Sequence, residues 1–132
     1  MKIRIYYEDT DAGGIVYHAN YIKFCERARS ECFLKENLAP FTKDGFFVVS
    51  QINAKYISPA KFGDTIEITT KVKEIKKASC IIEHKIYKIA SIKECSLNEI
   101  LFEAQIKLAF VNNGKPSKIP ENIFNFISTK LI

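Results

Sequence analysis

The chain has 132 residues, a length that suits one domain around one core. Its 47% hydrophobic and 27% charged residues make an ordinary globular balance, and no stretch approaches the ~18 consecutive apolar residues of a membrane span. The net charge of +5 admits anionic partners, but the lysines are scattered without interleaved aromatics, so no nucleic-acid stripe is expected and a patch for a phosphorylated small molecule stays open.

In chain order, "KIRIYY" alternates and predicts a short strand with Ile3, Ile5 and Tyr7 on one face. The segment "YIKFCERARSECFLK" predicts a helix. Tyr21, Phe24, Cys25, Ala28 and Cys32 form one apolar stripe at helical spacing, with Lys23, Glu26, Arg27 and Glu31 opposite. Asn20 suits its N-cap. "FFVVSQINAKYIS" is rich in β-branched and aromatic residues and ends at Pro59. "GDTIEITTKVKEIK" and "SCIIEHKIYKI" alternate on either side of a short "KKA" connection and predict a hairpin. "EILFEAQIKLAFV" alternates again, placing Ile100, Phe102, Ala104, Ile106, Leu108 and Phe110 on one side. "NNGKPSKIP" is turn chemistry, and "ENIFNFISTKLI" predicts a short final helix.

One strand, one long helix and four long strands predict an α+β fold. The apolar stripe must be buried, and an antiparallel sheet curled around the helix buries it. Such a sheet has edges, and a long unprotected edge favours pairing with a second copy. A homodimer with a continuous sheet is therefore expected.

The N-terminus "MKIRIYYED" carries no secretory pattern, and Cys25, Cys32, Cys80 and Cys95 form neither a CxxC pair nor zinc spacing. They read as buried thiols of a reducing compartment, so a cytoplasmic protein without metal or other cofactor is expected.

The stretch "YYEDTDAGGIVYHANY" is unusual. Glu8, Asp9 and Asp11 precede a Gly13–Gly14 turn, then Tyr17, His18 and Asn20 lead into the helix. A calcium loop fails, since Gly13 and Asn20 stand where ligands belong. A phosphate loop fails on glycine spacing. A plain turn accounts for the acids and glycines but not for "IVYH". A catalytic reading uses every part: a helix N-terminus offers N–H groups that polarise a carbonyl, and Asp11, folded back by the glycines, supplies a nucleophile or general base.

The segment "IRIYYEDTDAGGIVYHANYIKFCERAR" resembles the opening of the YbgC-type acyl-CoA thioesterases, in the 4-hydroxybenzoyl-CoA thioesterase branch of the hotdog fold. The likeness continues through "FFVVSQINAKYISPAKFGDTIEI" and thins after Lys77. It implies a hotdog fold, a long helix wrapped by an antiparallel sheet, assembled as dimers and often tetramers with sites at the dimer interface. It implies hydrolysis of an acyl-CoA or acyl-carrier-protein thioester. Asp11 matches the catalytic carboxylate, and His18 lies where the backbone N–H polarises the thioester carbonyl. Asp9 matches a structural acid. Lys76, Lys77 and Ser79 fall in a loop that the resemblance assigns to CoA phosphate and pantetheine, although a solvated hairpin turn explains them as well.

His84 and Glu83 read as structural, His84 on the apolar side of its strand; Tyr6, Tyr7 and Tyr17 read as packing aromatics or pocket walls. Two rival functions are another hotdog enzyme, such as an enoyl-thioester hydratase, and a non-catalytic acyl-binding partner of an envelope or lipid-synthesis complex. The first needs a differently ordered Asp/His motif, and the second has no use for Asp11.

Overall fold

A computed structural model describes residues 1–93 and 95–132, with backbone alone for residues 95–97. The elements are β1 (Lys2–Arg4), α1 (His18–Lys35), β2 (Phe41–Thr42), β3 (Gly45–Tyr56), β4 (Thr65–Ile75), β5 (Ser79–Ala90), β6 (Cys95–Asn112), β7 (Lys115–Pro116) and α2 (Glu121–Lys130). They build one antiparallel sheet in the order β1-β4-β5-β6-β3-β2, with β7 on β6. The predicted hairpin is β4–β5, paired from Thr65–Ala90 to Ile75–Cys80.

The expected stripe of α1 faces this sheet. Tyr21, Phe24, Cys25 and Ala28 are buried, joined by Arg29 and Phe33, while Cys32 is half-buried. They meet Ile66 and Ile68 of β4, Cys80, Ile82 and Ile86 of β5, and Phe102, Ala104, Ile106, Leu108 and Phe110 of β6. Burying each large side chain contributes on the order of 1.5–3 kcal/mol, so the stripe is what holds the helix on the sheet. Asn37, with φ +57°, ends α1 in a left-handed turn; the Leu38 N–H bonds back to the Phe33 carbonyl and the Asn37 N–H to that of Leu34. α2 closes the far end of the core, where the Phe126 ring lies 5.0 Å from that of Phe33.

Three expectations need correction. β1 stops at Arg4, and Tyr7 sits exposed in a single helical turn over Tyr7–Asp9, because that turn is needed to bring Asp9 to the helix. α1 starts at His18, one turn earlier than the stripe indicates, so Asn20 lies inside the helix and Tyr17 is its cap residue, without a side-chain hydrogen bond. In β6 a bulge between the partners of Ile86 and Tyr87 shifts the alternation, so Leu101 is buried where Ile100 was expected. β3 is apolar yet largely exposed. Its outer edge pairs only with β2 at Phe46 and Gly45, leaving Val49, Ile52 and Tyr56 about half exposed.

Cys25 and Cys80 are buried free thiols, pushed by burial to about 12 and about 11, so both stay protonated and unreactive. The expectation for Cys95 lies outside the described side chains. Among the described residues no helix is long and apolar enough to cross a membrane.

Candidate active site

The two aspartates of "DTD" are put to different uses. The Asp9 carboxylate accepts from the Tyr6 N–H at 2.8 Å, and its carbonyl accepts from the Tyr17 N–H and the Asn20 side-chain amide. Asp9 thus ties the turn to the start of α1, and Asn20 is spent on that tie.

Asp11 heads a tight turn, in which its carbonyl accepts from the Gly14 N–H and its N–H donates to Ile15. Gly14 takes φ +80°, a conformation that favours glycine. The Asp11 Oδ1 accepts from the Gly13 N–H at 2.7 Å, a local bond that orients the carboxylate. A Cβ on Gly13 would stand 3.1 Å from that same oxygen, so a side chain there would press on the carboxylate.

The Thr10–Val16 bridge closes this turn, the Ile15–Lys61 bridge fixes it to the chain after β3, and α1 begins two residues on. With no capping side chain on Tyr17, the His18 and Ala19 N–H groups have no partner among the described residues. They carry the positive end of the helix dipole, roughly half an elementary charge. The Tyr56 hydroxyl donates to the His18 carbonyl at 2.8 Å and fixes the first turn from the sheet side.

Asp11 and His18 line one cleft of ≈ 360 Å³ with Ile15, Val16, Tyr21, Tyr56, Ile57, Ser58 and Pro59. Its walls are mainly apolar and include the Asp11 carboxylate and the first residue of α1, an arrangement that suits an acyl chain joined to a polarised carbonyl. Tyr21 forms the floor, stacked on Phe102 at 5.2 Å, and its hydroxyl accepts from the Ala60 N–H; burial raises its pKa, so it stays a neutral phenol. Among the described residues no group of three or more His, Cys, Asp and Glu side chains could hold a metal.

Lys76, Lys77 and Ser79 are elsewhere. They occupy the β4–β5 turn, where the Lys76 N–H donates to the Ser79 carbonyl and the Lys77 carbonyl accepts from Ile119. That turn abuts Phe110 of β6, whereas the cleft lies beside Phe102. Phe102 and Phe110 are eight residue steps apart along β6, about 26 Å at ~3.3 Å per step. Within one protomer the basic turn does not reach Asp11. Tyr56 and Ser58 carry no sequence signal of their own; only the pairing of β3 with β6 places them at the cleft.

Residues 13–95 match the thioesterase superfamily, a span that includes His18 and begins two residues after Asp11. The chain belongs to the thioesterase superfamily. Among curated relatives of this superfamily, the acyl-CoA thioesterase YbgC of Helicobacter pylori is 44% identical over 123 residues, covering 90% of each chain. Among solved structures, a probable thioesterase from Bartonella henselae is 31% identical with a TM-score of 0.73, over 91% of this chain and 96% of that one. The 4-hydroxybenzoyl-CoA thioesterase of Pseudomonas sp. shares the fold at a TM-score of 0.82, with 23% identity and 96% of each chain covered. The curled sheet around α1 is therefore the hotdog fold.

Proposed function

We propose that this member of the thioesterase superfamily hydrolyses acyl-CoA thioesters to a free acid and CoA, with Asp11 as the catalytic carboxylate. The observation that carries the reading is one cleft lined by both Asp11 and His18, the residue that opens α1, whose first N–H groups have no partner among the described residues. The thioester carbonyl oxygen is held by the His18 and Ala19 N–H groups, which stabilise the charge it gains on attack. Asp11 either attacks the carbonyl carbon or takes a proton from the attacking water. The C–S bond breaks, the thiolate leaves with little need of an acid, and water supplies the hydroxyl of the acid and the proton of the thiol.

The rest of CoA needs a second copy. The open edge of β3, with Val49, Ile52 and Tyr56 half exposed, suits antiparallel pairing with its twin. That pairing sets the Tyr56 end of one β3 against the Gly45 end of the other. The Gly45 end is the end of the sheet that carries the basic turn. Lys76, Lys77 and Ser79 of one protomer then come to the rim of the other's cleft, where the lysines suit the CoA phosphates. The three described cysteines are free thiols, which suits a reducing compartment such as the cytoplasm.

Release of free thiol from a panel of acyl-CoAs of increasing chain length tests the reaction. Turnover of at least one member, by a homo-oligomer in light scattering, is expected. No thiol from any member, or full activity as a monomer, contradicts the reading.

A further inference from the structure

A chain of polar groups separate from Asp11 and the helix start also ends in the cleft. Ser58 lines the cleft, and its hydroxyl donates to Glu99 Oε1 at 2.9 Å. Glu99 Oε2 lies 3.6 Å from Lys88 Nζ, its cross-strand partner between β5 and β6. The same Nζ lies 3.8 Å from Asp64 Oδ2, and Asp64 is 4% exposed and accepts from the Lys61 N–H. Lys88 continues the inward row of Cys80, Ile82, His84 and Ile86 at the end of β5 nearest the cleft. The Ile57 and Ser58 N–H groups both donate to the Leu101 carbonyl, at the β6 bulge. Ser58 is therefore held through both its backbone and its side chain.

The direction of the side-chain bond matters. A carboxylate cannot donate, so in this bond the Ser58 hydroxyl gives its proton to Glu99 and its Oγ lone pairs are left to accept. His18, which lines the same cleft, begins α1, where backbone N–H groups without a partner among the described residues suit a carbonyl. The cleft thus combines backbone donors at the start of α1 with an oriented acceptor at Ser58. A thioester on a pantetheine arm has the matching pattern: a carbonyl oxygen at the reacting centre and, a few bonds beyond sulfur, an amide N–H.

We infer that Ser58 accepts a hydrogen bond from the pantetheine amide N–H, with Glu99, Lys88 and Asp64 holding its hydroxyl in the accepting orientation. Ser58 is a positioning and specificity residue, and it selects thioesters that carry the amide arm over simple alkyl thioesters. The inference rests on the thioesterase reading above. CoA and acyl-carrier protein share this arm, so Ser58 does not distinguish them.

The test compares two substrates with the same acyl group, an S-acyl-N-acetylcysteamine, which keeps the amide, and an S-acyl alkanethiol of equal length, which lacks it. Ser58→Ala is expected to raise KM for the amide-bearing thioester about 3- to 10-fold, the range of one neutral hydrogen bond, and to leave the alkyl thioester unchanged. Ser58→Thr, which keeps the hydroxyl, restores the wild-type ratio. Glu99→Gln can donate to Ser58 and turn its proton toward the cleft, so it reproduces the selective loss even where Ser58→Ala folds poorly. Equal losses on both substrates, or a fall in kcat alone, overturn the inference. Wild-type protein that hydrolyses neither substrate nor any acyl-CoA sinks the underlying reading instead.

Discussion

Two polar stations lie on the same helix, and they are finished in opposite ways. At its start, Asp11 is exposed and the His18 and Ala19 N–H groups have no partner among the described residues. Halfway along, Arg29 and the fully buried His84 meet inside the core at 3.1 Å, Nη1 to Nε2. Arg29 can only donate, so Nε2 accepts and the proton sits on Nδ1, which donates to the Thr69 carbonyl at 3.0 Å. Burial, and then the Arg29 charge, push His84 down to about 3, so it is neutral at any ordinary pH. Among the described residues no buried side-chain polar atom is left without a hydrogen bond. The contrast fits the proposed site: the polar groups that hold the fold are satisfied inside the core, while those at the start of α1 are left open for a substrate.

The contrast predicts that activity and stability separate. Asp11→Asn should lower kcat by about 10²–10⁴-fold, the scale of a lost nucleophile or general base, with thermal melting unchanged. His84→Leu should do the reverse. It strands the Arg29 guanidinium in the core and costs on the order of 3 kcal/mol in urea unfolding, while kcat for the folded fraction stays near wild type. An Asp11→Asn protein that melts early, or a His84→Leu protein that is folded and inactive, would break the comparison.

Acid should weaken the second station. His84 has an ordinary pKa of 6.5 when the chain is unfolded and about 3 when folded. Between those values the unfolded chain binds the extra proton, so stability is full above about 6.5 and falls as pH drops through the window. The slope from this group is up to ~1.4 kcal/mol per pH unit. Urea unfolding at several pH values between 4 and 7 should show a shallower slope for His84→Leu than for wild type; equal slopes would contradict the buried neutral imidazole.

Much of this was legible in the chain. The strict alternation of β4 and β5 and the stripe from Tyr21 to Ala28 encode the sheet and the face of α1, because burial imposes those periods directly. The first turn of α1 was hidden, since His18, Ala19 and Asn20 carry no stripe and Tyr17 is not a capping residue. Periodicity could not reveal the Leu101 bulge, which depends on how β5 pairs with β6. An open sheet edge was expected, but that β3 carries it could not be read from the chain, because strand order depends on long-range pairing. Within the site, Asp11 and His18 stood out by motif, while Tyr56, Ser58 and Glu99 reach it only through tertiary pairing.

The smallest expected effect concerns the basic turn. Changing both Lys76 and Lys77 to Ala should raise KM for acyl-CoA a few-fold at low salt, reduce its salt sensitivity and leave kcat alone, as for solvent-screened charges on a phosphate. An unchanged KM would make the turn a solvated hairpin and remove the reason to carry substrate across a dimer.

The central claim is that, of two carboxylates two residues apart, only Asp11 works on the thioester. Asp9→Asn and Asp11→Asn, both checked for folding by circular dichroism, can be compared in single-turnover hydrolysis of the best acyl-CoA. The account predicts that Asp9→Asn stays within about tenfold of wild type and loses on the order of 1 kcal/mol of stability, since its bond to the Tyr6 N–H is weakened. It predicts that Asp11→Asn is at least ~100-fold slower and as stable as wild type. A folded Asp9→Asn protein without turnover, beside an active Asp11→Asn, would show that the catalytic carboxylate is the other one.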